Sequence, residues 1–391
     1  MVLPSLTDFA PAPARSFSPL RADDLARADD LAHMRAALAL AQRGLGNVWP
    51  NPAVGCVLVR DGQVVGRGWT QPGGRPHAET QALAQAGEAA RGATAYVTLE
   101  PCSHHGKTPP CAEALIRHGI ARCVCAMGDT DPRVSGRGVA MLRDAGIAVE
   151  VGLLEDEARH LNAGFFLRIE EQRPLVTLKV ATTLDGKIAL ANGDSKWITG
   201  ERARAMAHCL RANHDAILVG RSTVVLDDPD LTCRLPGLSR RPIVRVVLDS
   251  QALIPRASKL VQTAADVPTW VIHGPQGREA AQALAAGTAV ETLEVAVTAQ
   301  GRPDPEAVVS ALAERGITRL MIEGGGQVAA SFLSACLVDR LAWFRASKVI
   351  GGDGLPGVAA LGLDRLAASP DFARKTIQAL GADHLELYER R

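Results

Sequence analysis

The feature that most constrains this chain is an ordered set of metal-binding residue types, His77, Glu79, Cys102 and Cys111. One imidazole and two thiols can supply three protein ligands to Zn²⁺ and leave its fourth position open, as in catalytic rather than structural zinc sites. Zinc lowers the pKa of a bound water to about 7, and Glu79 could carry the proton that this water releases. The fold must therefore return three separate segments to one point.

The spacing of the two cysteines leaves the ligand set open. An H-x-E sequence followed by P-C is the signature of zinc-dependent nucleobase deaminases, but their usual P-C-x-x-C is replaced here by eight residues between Cys102 and Cys111. A helix predicted over residues 111–118 would place Cys111 at a helix N-terminus, which favours a thiolate. His104 and His105 are competing ligands, and either could close a structural site. Unconnected core cysteines with a surface histidine are the remaining alternative.

Composition narrows the class of protein. The 391 residues carry 43 basic and 42 acidic side chains and only 4% aromatics, which disfavours a nucleic-acid surface. We find no secretory leader, no disulfide-scaffold spacing and no apolar run near the ~20 residues that span a membrane. A cytoplasmic protein without membrane or nucleic-acid partners is expected. The six other cysteines are predicted to be reduced, buried thiols: Cys56, Cys123, Cys125, Cys209, Cys233 and Cys336.

Apolar patterning divides the chain into a flexible tail (1–28) and two α/β units (29–172 and 173–391). In the first unit, a helix starting with Asp29 and Asp30 precedes a β-β-α-β-α-β-α-β alternation, which implies a mixed sheet with helices packed on it. The zinc ligands would meet at one end of this sheet. Strands are predicted at 53–59, 63–69, 94–99, 120–127 and 147–151, and helices at 77–90, 111–118, 137–145 and, as a linker, 155–171.

The second unit has its own candidate chemistry. A strand runs into Glu323 and three glycines before a helix, a pattern that serves equally as a phosphate cradle or as a tight turn. Polar loops also follow other strands, without the G-x-G-x-x-G of a standard dinucleotide-binding domain. Trp197 in one of them is either a core anchor or a ligand contact. Strands are predicted at 175–182, 215–220, 243–249, 269–273, 317–322, 339–350 and 384–389, and helices at 200–212, 277–286, 305–315 and 327–337.

Taken together, these motifs closely resemble the bifunctional riboflavin-biosynthesis deaminase–reductase family over residues 30–391. The family also shows the long cysteine spacing, so the resemblance favours Cys111 as a ligand. The segments that carry the resemblance are 51–55, 77–79, 100–111, 128–133, 183–187 and 322–326.

The resemblance implies two reactions and two folds. A cytidine-deaminase-like unit would hydrolytically deaminate 2,5-diamino-6-ribosylamino-4(3H)-pyrimidinone 5′-phosphate. A dihydrofolate-reductase-like unit would then use NADPH to reduce the ribosyl group of the product to ribityl. His77, Cys102 and Cys111 would hold Zn²⁺, Glu79 would move protons, and Asn51 would contact the pyrimidine.

For the second reaction the resemblance assigns cofactor and substrate positions. Arg211 and Arg234 suit a phosphate, because a guanidinium fork binds it bidentately, although without the resemblance they would be read as surface arginines. Lys179 and Lys187 remain unassigned. Cofactor positions are Ala181, Trp197, Thr223, Asp227, Ser250, Gly325, Gly326, Gln327, Val328, Ala329, Ala330 and Ser331, and substrate positions are Ser195, Arg211, Leu231, Arg234 and Glu323.

Small phosphorylated pyrimidines are thus the expected partners, and a homo-oligomer is left open. Two rival hypotheses remain. A nucleic-acid base deaminase with a non-catalytic accessory domain would need a basic, aromatic groove. A deaminase fused to a ligand-sensing unit would not oxidise NADPH.

Overall fold

Two β-sheets organise the computed structural model, which describes residues 22–105, 109–131, 135–238 and 241–391. The first sheet has five strands and the second nine, and a two-stranded ribbon flanks the second. None of the helices in the described ranges is long and apolar enough to cross a membrane.

The first sheet has the strand order β2-β1-β3-β4-β5. Strands β1 and β2 form an antiparallel hairpin whose turn residues Asp61 and Gly62 have φ of 50° and 74°, as a tight two-residue turn requires. The last three strands run parallel. The strands are β1 (Gly55–Arg60), β2 (Gln63–Trp69), β3 (Thr94–Val97), β4 (Arg122–Cys125) and β5 (Ala148–Val151), and the helices are α1 (Ala22–Ala41), α2 (Ala78–Ala86), α3 (Cys111–Arg117) and α4 (Arg137–Asp144).

Helix α1 begins at Ala22, earlier than the expected start at Asp29 and Asp30. The carboxylate of Asp30 does not cap the helix. It accepts two hydrogen bonds of 2.8 Å from Arg122 on β4 and one from Tyr96 on β3. Asp30 therefore joins the helix to the sheet. Residues 1–21 of the predicted tail lie outside the described ranges.

The predicted linking helix is divided at Asn162 into α5 (Glu155–Leu161) and α6 (Ala163–Glu170). The buried amide of Asn162 accepts the N–H of Ala53 and donates to its carbonyl, both at 2.9 Å. The break therefore fastens the linker to the start of the first sheet.

The second sheet has the order β11-β10-β9-β8-β12-β6-β13-β16-β15. Pairing is parallel from β11 to β13 and antiparallel for the last two strands. The strands are β6 (Leu175–Thr182), β8 (Ala216–Gly220), β9 (Val244–Leu248), β10 (Thr269–His273), β11 (Glu291–Glu294), β12 (Arg319–Ile322), β13 (Arg340–Arg345), β15 (Phe372–Leu380) and β16 (Asp383–Arg390), while β7 (Lys187–Ala189) and β14 (Leu355–Pro356) form the ribbon. The helices are α7 (Glu201–Ala212), α8 (Arg221–Asp227), α9 (Lys259–Gln262), α10 (Arg278–Ala286), α11 (Pro305–Glu314) and α12 (Gly326–Ser334).

Three of the six remaining cysteines depart from the expected burial. Cys209 and Cys233 are partly exposed and Cys336 is exposed, whereas the other three are buried. Cys336 does not lie on the apolar face of a helix, because α12 ends at Ser334 and Cys336 has a left-handed backbone, with φ of 59°.

Residues 45–52 of the first unit rest on the second unit. The side chain of Arg241 donates to the Trp49 carbonyl at 2.6 Å and stacks 3.7 Å from the centroid of its ring. The backbone N–H of Arg241 donates to the Asn47 side chain at 3.1 Å. Gly46 lies so close that a Cβ there would be 2.3 Å from the Ala212 carbonyl oxygen. This segment, the interface loop, leads directly to Asn51.

Candidate functional site

The three predicted zinc ligands come together at one end of the first sheet. His77 is the residue before α2, Cys111 is the first residue of α3, and Cys102 lies in the loop after β3. The His77 Nδ1 atom is 3.3 Å from Cys111 Sγ and 3.6 Å from Cys102 Sγ. With Zn–N near 2.0 Å and Zn–S near 2.3 Å, a tetrahedral ion would separate these atoms by about 3.5 Å. The donor set therefore fits zinc.

The competing histidines lie apart from this triangle. In the described part of the chain, the one group of side chains whose geometry suits a metal is His77, Cys102 and Cys111. His105 instead pairs with Glu113 at 3.3 Å on the surface, and His104 lines the cavity beside the ligands. The eight residues between the two cysteines do not keep them apart, because the chain turns back and places Cys111, the first residue of α3, beside Cys102. The backbone N–H of Cys111 donates to Cys102 Sγ at 3.3 Å.

Glu79 lies in the first turn of α2 and is almost wholly buried beside the ligands. Burial raises the pKa of Glu79 to about 7, helped by the charge of Cys102 and opposed by His77. A hydrogen bond from Cys111, with a further one from His77, lowers the pKa of Cys102 to about 4. A carboxyl group whose pKa lies near neutrality can both accept and return a proton, which suits a general acid–base.

A cavity of about 340 Å³ opens from the ligands, a volume typical of small-molecule sites. Asn51 and Glu79 line it together with His77 and Cys102. The linker also lines the cavity, because its helix α6 contributes Phe165, Arg168 and Ile169. The structure thus brings Asn51 to the same cavity as His77, Glu79 and Cys102.

Glu100 is a structural element of this site to which sequence reasoning gave no role. Its buried carboxylate accepts backbone N–H groups from Asp129, Gly136, Gly138 and Val139 at 2.9–3.2 Å. This ties the loop that carries Cys102 to the N-terminus of α4, where a negative charge is favoured. A sequence signal for this role was that Glu100 lies two residues before the zinc ligand Cys102.

In the second unit, Glu323 follows β12 and binds Arg211 of α7. Arg211 Nε donates to Oε1 at 2.6 Å and Nη2 to Oε2 at 3.0 Å, while Lys179 Nζ lies 3.6 Å from Oε2. The Glu323 side chain is only 7% exposed. Burial would raise its pKa, but the charges of Arg211 and Lys179 outweigh burial and hold it at about 2. The two predicted substrate positions Arg211 and Glu323 therefore contact each other. Lys179, which the sequence left without a role, supplies a second cation, and Glu323 stays ionised.

The remaining predicted substrate positions lie in nearby loops. Leu231 is buried with φ of 49°. Arg234 is exposed and pairs with Asp230 at 3.0 Å. Its backbone N–H faces His208, one helical turn before Arg211 on α7. Ser195 is half-buried in the loop before that helix.

The glycine segment divides into packing and open positions. A Cβ at Gly324 would be 2.8 Å from Val328, and one at Gly326 would be 2.6 Å from the Pro356 carbonyl oxygen. At Gly325, the residue before α12, no atom lies within 4 Å of such a Cβ. Open space at a helix N-terminus suits an anion. Ala329 and Ala330 are buried in α12, whereas Gln327, Val328 and Ser331 are at least partly exposed.

The other predicted cofactor positions lie at the carboxyl ends of neighbouring strands. Ala181 is the last but one residue of β6, Thr223 and Asp227 belong to α8 directly after β8, and Ser250 follows β9. With β12 these strands are consecutive in the sheet, so the residues share an edge where such sheets bind ligands. Trp197 is 63% exposed, which excludes the core-anchor interpretation.

Comparison with known proteins decides the family. Residues 27–127 match the cytidine and deoxycytidylate deaminase zinc-binding region, and residues 174–385 match the RibD C-terminal domain. The riboflavin biosynthesis protein RibD of Aquifex aeolicus (strain VF5) is 43% identical over 92% of this chain and 98% of its own length. That of Escherichia coli (strain K12) is 42% identical over 90% and 96%. The chain belongs to the RibD family.

Solved structures agree with this assignment. Acinetobacter baumannii RibD (form 2) superposes with a TM-score of 0.83 at 36% identity, over 94% of this chain and 100% of the other. A Thermotoga maritima diaminohydroxyphosphoribosylaminopyrimidine deaminase/5-amino-6-(5-phosphoribosylamino)uracil reductase gives 0.80 at 35% identity over the same shares. Membership confirms the predicted family, the two α/β folds, and a zinc-dependent deaminase joined to an NADPH-dependent reductase.

Proposed function

We propose that the chain performs two consecutive steps of riboflavin biosynthesis. Residues 29–172 would deaminate 2,5-diamino-6-ribosylamino-4(3H)-pyrimidinone 5′-phosphate, and residues 173–391 would reduce 5-amino-6-(5-phosphoribosylamino)uracil to its ribityl form with NADPH. The observation that carries this proposal is the triangle of His77, Cys102 and Cys111 beside buried Glu79, open to a cavity of small-molecule size. The alternative of a nucleic-acid deaminase with a non-catalytic accessory domain is not favoured.

In the first step Glu79 is the proton carrier. Zinc held by His77, Cys102 and Cys111 would supply an activated water at neutral pH. Glu79 accepts a proton from the attacking water and gives it to the departing amine, as its pKa of about 7 allows. Asn51 lines the cavity, and it would hydrogen-bond the pyrimidine and orient it.

In the second step the ionised Glu323 and its cationic partners organise the site. NADPH supplies the hydride; Ala181, Trp197, Thr223, Asp227, Ser250 and residues 325–331 would bind it. Glu323 fixes the plane of the Arg211 guanidinium through two hydrogen bonds. Ser195, in the loop before α7, and Leu231, in the loop after α8, would contact the substrate. The side chain of Arg234 is exposed and forms a surface ion pair with Asp230; such pairs are weak, so the guanidinium can turn to the substrate phosphate.

We also assign the enzyme to the cytoplasm, with small-molecule partners and no nucleic acid. All eight cysteines are free, which a reducing compartment maintains. Net charge is +1, so no excess of positive charge attracts a nucleic acid. A homo-oligomer remains compatible with both activities.

Two assays on the full chain test the proposal. Ammonia release from the diaminopyrimidine phosphate should require zinc, and a chelator should stop it. NADPH oxidation should then follow, and it should persist after chelation when the deaminated pyrimidine is supplied directly. A zinc-loaded chain that releases no ammonia, or that leaves NADPH unoxidised with the deaminated substrate, contradicts the corresponding half.

A further inference from the structure

Residues 230–234, which we call the arginine loop, form neither helix nor strand and end at Arg234, a substrate contact in the function proposed above. Leu231 in this loop is buried and has a left-handed backbone, with φ of 49°. Backbone groups outside regular structure must find hydrogen-bond partners in side chains, other loops or water. Several partners of the arginine loop are provided by helix α7.

Three contacts join the arginine loop to α7. Arg211 Nη1 donates to the Thr232 carbonyl at 3.0 Å, and the backbone N–H of Arg234 donates to His208 Nδ1 at 3.4 Å. The Cys233 thiol donates to the His208 carbonyl, also at 3.4 Å. Because His208 and Arg211 are three residues apart on the helix, their side chains lie on the same face. This face of α7 therefore holds three consecutive residues of the loop.

The two α7 side chains differ in chemistry. The guanidinium of Arg211 is fixed by two hydrogen bonds to Glu323, so its contact with the loop does not change near neutral pH. His208 is half-buried, and its ring is a titratable group without a role in the mechanism above. A backbone N–H can only donate, so Nδ1 of His208 accepts. The ring in this contact is therefore neutral and carries its proton on Nε2.

The surroundings of His208 favour this neutral form. Burial lowers the pKa of His208, and the positive charges of Arg211 and Arg234 lower it further. The negative charge of Glu323 and a hydrogen bond to the Thr232 backbone act in the opposite direction and are outweighed. The acceptor is therefore present at neutral pH. Protonation, below the ordinary histidine value of about 6.5, would place a hydrogen on Nδ1 and remove the acceptor.

We propose that His208 is a positioning residue of the reductase, whose Nδ1 holds the backbone of Arg234 where the guanidinium can meet the substrate phosphate. The proposal rests on the reductase activity proposed above. The side chain of Arg234 is exposed, so the positions that it can reach are set by its backbone. Without the His208 contact the loop would sample more positions, and ordering it would cost more when the substrate binds. Substrate binding should then weaken, while hydride transfer in the bound complex stays the same.

The first test compares variants of the full chain in which the acceptor is kept or displaced. Asparagine places its amide oxygen near the position of Nδ1, whereas glutamine carries the same amide one carbon further out. We measure NADPH oxidation with 5-amino-6-(5-phosphoribosylamino)uracil at about pH 7.5. The KM for this pyrimidine should rise about three- to tenfold in His208→Gln, as the loss of one hydrogen bond predicts. kcat and the KM for NADPH should stay within about twofold, and His208→Asn should remain near wild type.

Acidification provides a second measurement. The acceptor is present above the lowered pKa of His208 and is lost as the pH falls through it. Between about pH 7.5 and pH 5, the pyrimidine KM should therefore rise more in the wild type than in His208→Asn, whose amide does not titrate. The substrate phosphate titrates near pH 6, but it does so equally with both proteins. The ratio of the two KM values thus isolates the histidine.

Amide hydrogen exchange over residues 230–234 measures the contact without substrate. Exchange should be faster in His208→Gln than in the wild type and in His208→Asn. His384→Gln is the matched control, because it changes an exposed histidine on β16 of the same unit, and it should alter neither exchange in the loop nor KM.

Several results would overturn the proposal. These are an unchanged pyrimidine KM or unchanged exchange in His208→Gln, a fall in kcat as large as the rise in KM, or a failure of His208→Asn to restore binding. A wild-type KM that decreases on acidification, relative to His208→Asn, would make the ring a direct cation for the phosphate and would also refute the positioning role. A wild-type chain that does not oxidise NADPH with this pyrimidine refutes the proposed function instead, and hydrogen exchange then still decides whether His208 holds the loop.

Discussion

The two catalytic regions of this molecule use the same kind of scaffold in opposite ways. The deaminase site depends on side-chain identity, since His77, Cys102 and Cys111 must each present one ligand atom within 4.8 Å of the others. The predicted reductase site depends on where residues lie in the sheet, because its cofactor positions follow the carboxyl ends of four neighbouring strands. A metal requires particular donor atoms, whereas a dinucleotide can be bound largely by backbone groups.

Two buried glutamates show the same contrast. Glu79 has a pKa raised to about 7, chiefly by burial, and Glu323 has a pKa held at about 2 by Arg211 and Lys179 despite burial. The first can exchange protons at neutral pH and the second cannot. Burial alone therefore does not make a proton carrier; the charge of the neighbours decides between the two roles.

The largest effect should come from Cys111→Ser. A hydroxyl does not supply the thiolate charge that binds zinc, so we expect less than one equivalent of metal and no deamination. Metal analysis and ammonia release measure this, with NADPH oxidation on deaminated substrate unchanged. Cys336→Ser is the matched control; its thiol is exposed and far from the triangle in sequence, and it should retain full metal. Full metal in Cys111→Ser would mean that the site does not depend on ligand identity.

Glu79→Gln should keep zinc and lose deamination by about 10²–10⁴-fold, the usual contribution of a general acid–base. Glutamine is nearly isosteric but cannot carry a proton. Ammonia release at saturating zinc gives the rate, and reductase activity reports on folding. Deamination within threefold of wild type would remove Glu79 from proton transfer and weaken the contrast with Glu323.

Gly325→Val tests whether the reductase depends on backbone approach. Gly325 has an ordinary φ of −68° and open space where a Cβ would lie, so the variant should fold. Its side chain would occupy the space expected for a phosphate, and the NADPH dissociation constant should rise at least tenfold, about 1.4 kcal/mol. Fluorescence titration measures it, with Gly325→Ala as a milder variant. Equal affinities would mean that Glu323 and the three glycines form a tight turn and not a phosphate site.

The smallest predicted effect connects the two regions. Arg241→Ala removes the stacking and the hydrogen bond that hold Trp49, so the cavity wall at Asn51 should be less ordered. We expect deamination to fall about three- to tenfold, as the loss of about 1 kcal/mol predicts, while reduction is unchanged. Arg278→Ala, in an exposed ion pair with Glu294, is the control. Unchanged deamination would make the two sites independent.

Features that depend on local residue types could be predicted from the sequence, whereas features that depend on contacts between distant segments could not. The zinc ligands and the parallel strands other than β11 were predictable, because apolar runs and ligand residue types are local signals. The short edge strand β11 was not predicted. The break at Asn162 was not, since its partner Ala53 is 109 residues away. The role of Glu100 depends on N–H groups that only the folded loop presents. Helix α8 was read as a loop because it is short and amphipathic signals need longer segments.

The interface loop has a consequence for biosynthesis of the protein itself. Domains tend to fold in the order in which the ribosome releases them, N-terminal first. Gly46 and Trp49, however, rest on the carbonyl of Ala212 and on Arg241, which are translated much later. The sheet of the deaminase unit contains only early residues. The cavity wall at Asn51, and the 2.8 Å hydrogen bond from Arg168 of the cavity lining to the Ala313 carbonyl, are completed only when the reductase unit has folded. The residues of the deaminase site are thus synthesised first, but the site is complete only after the whole chain has folded.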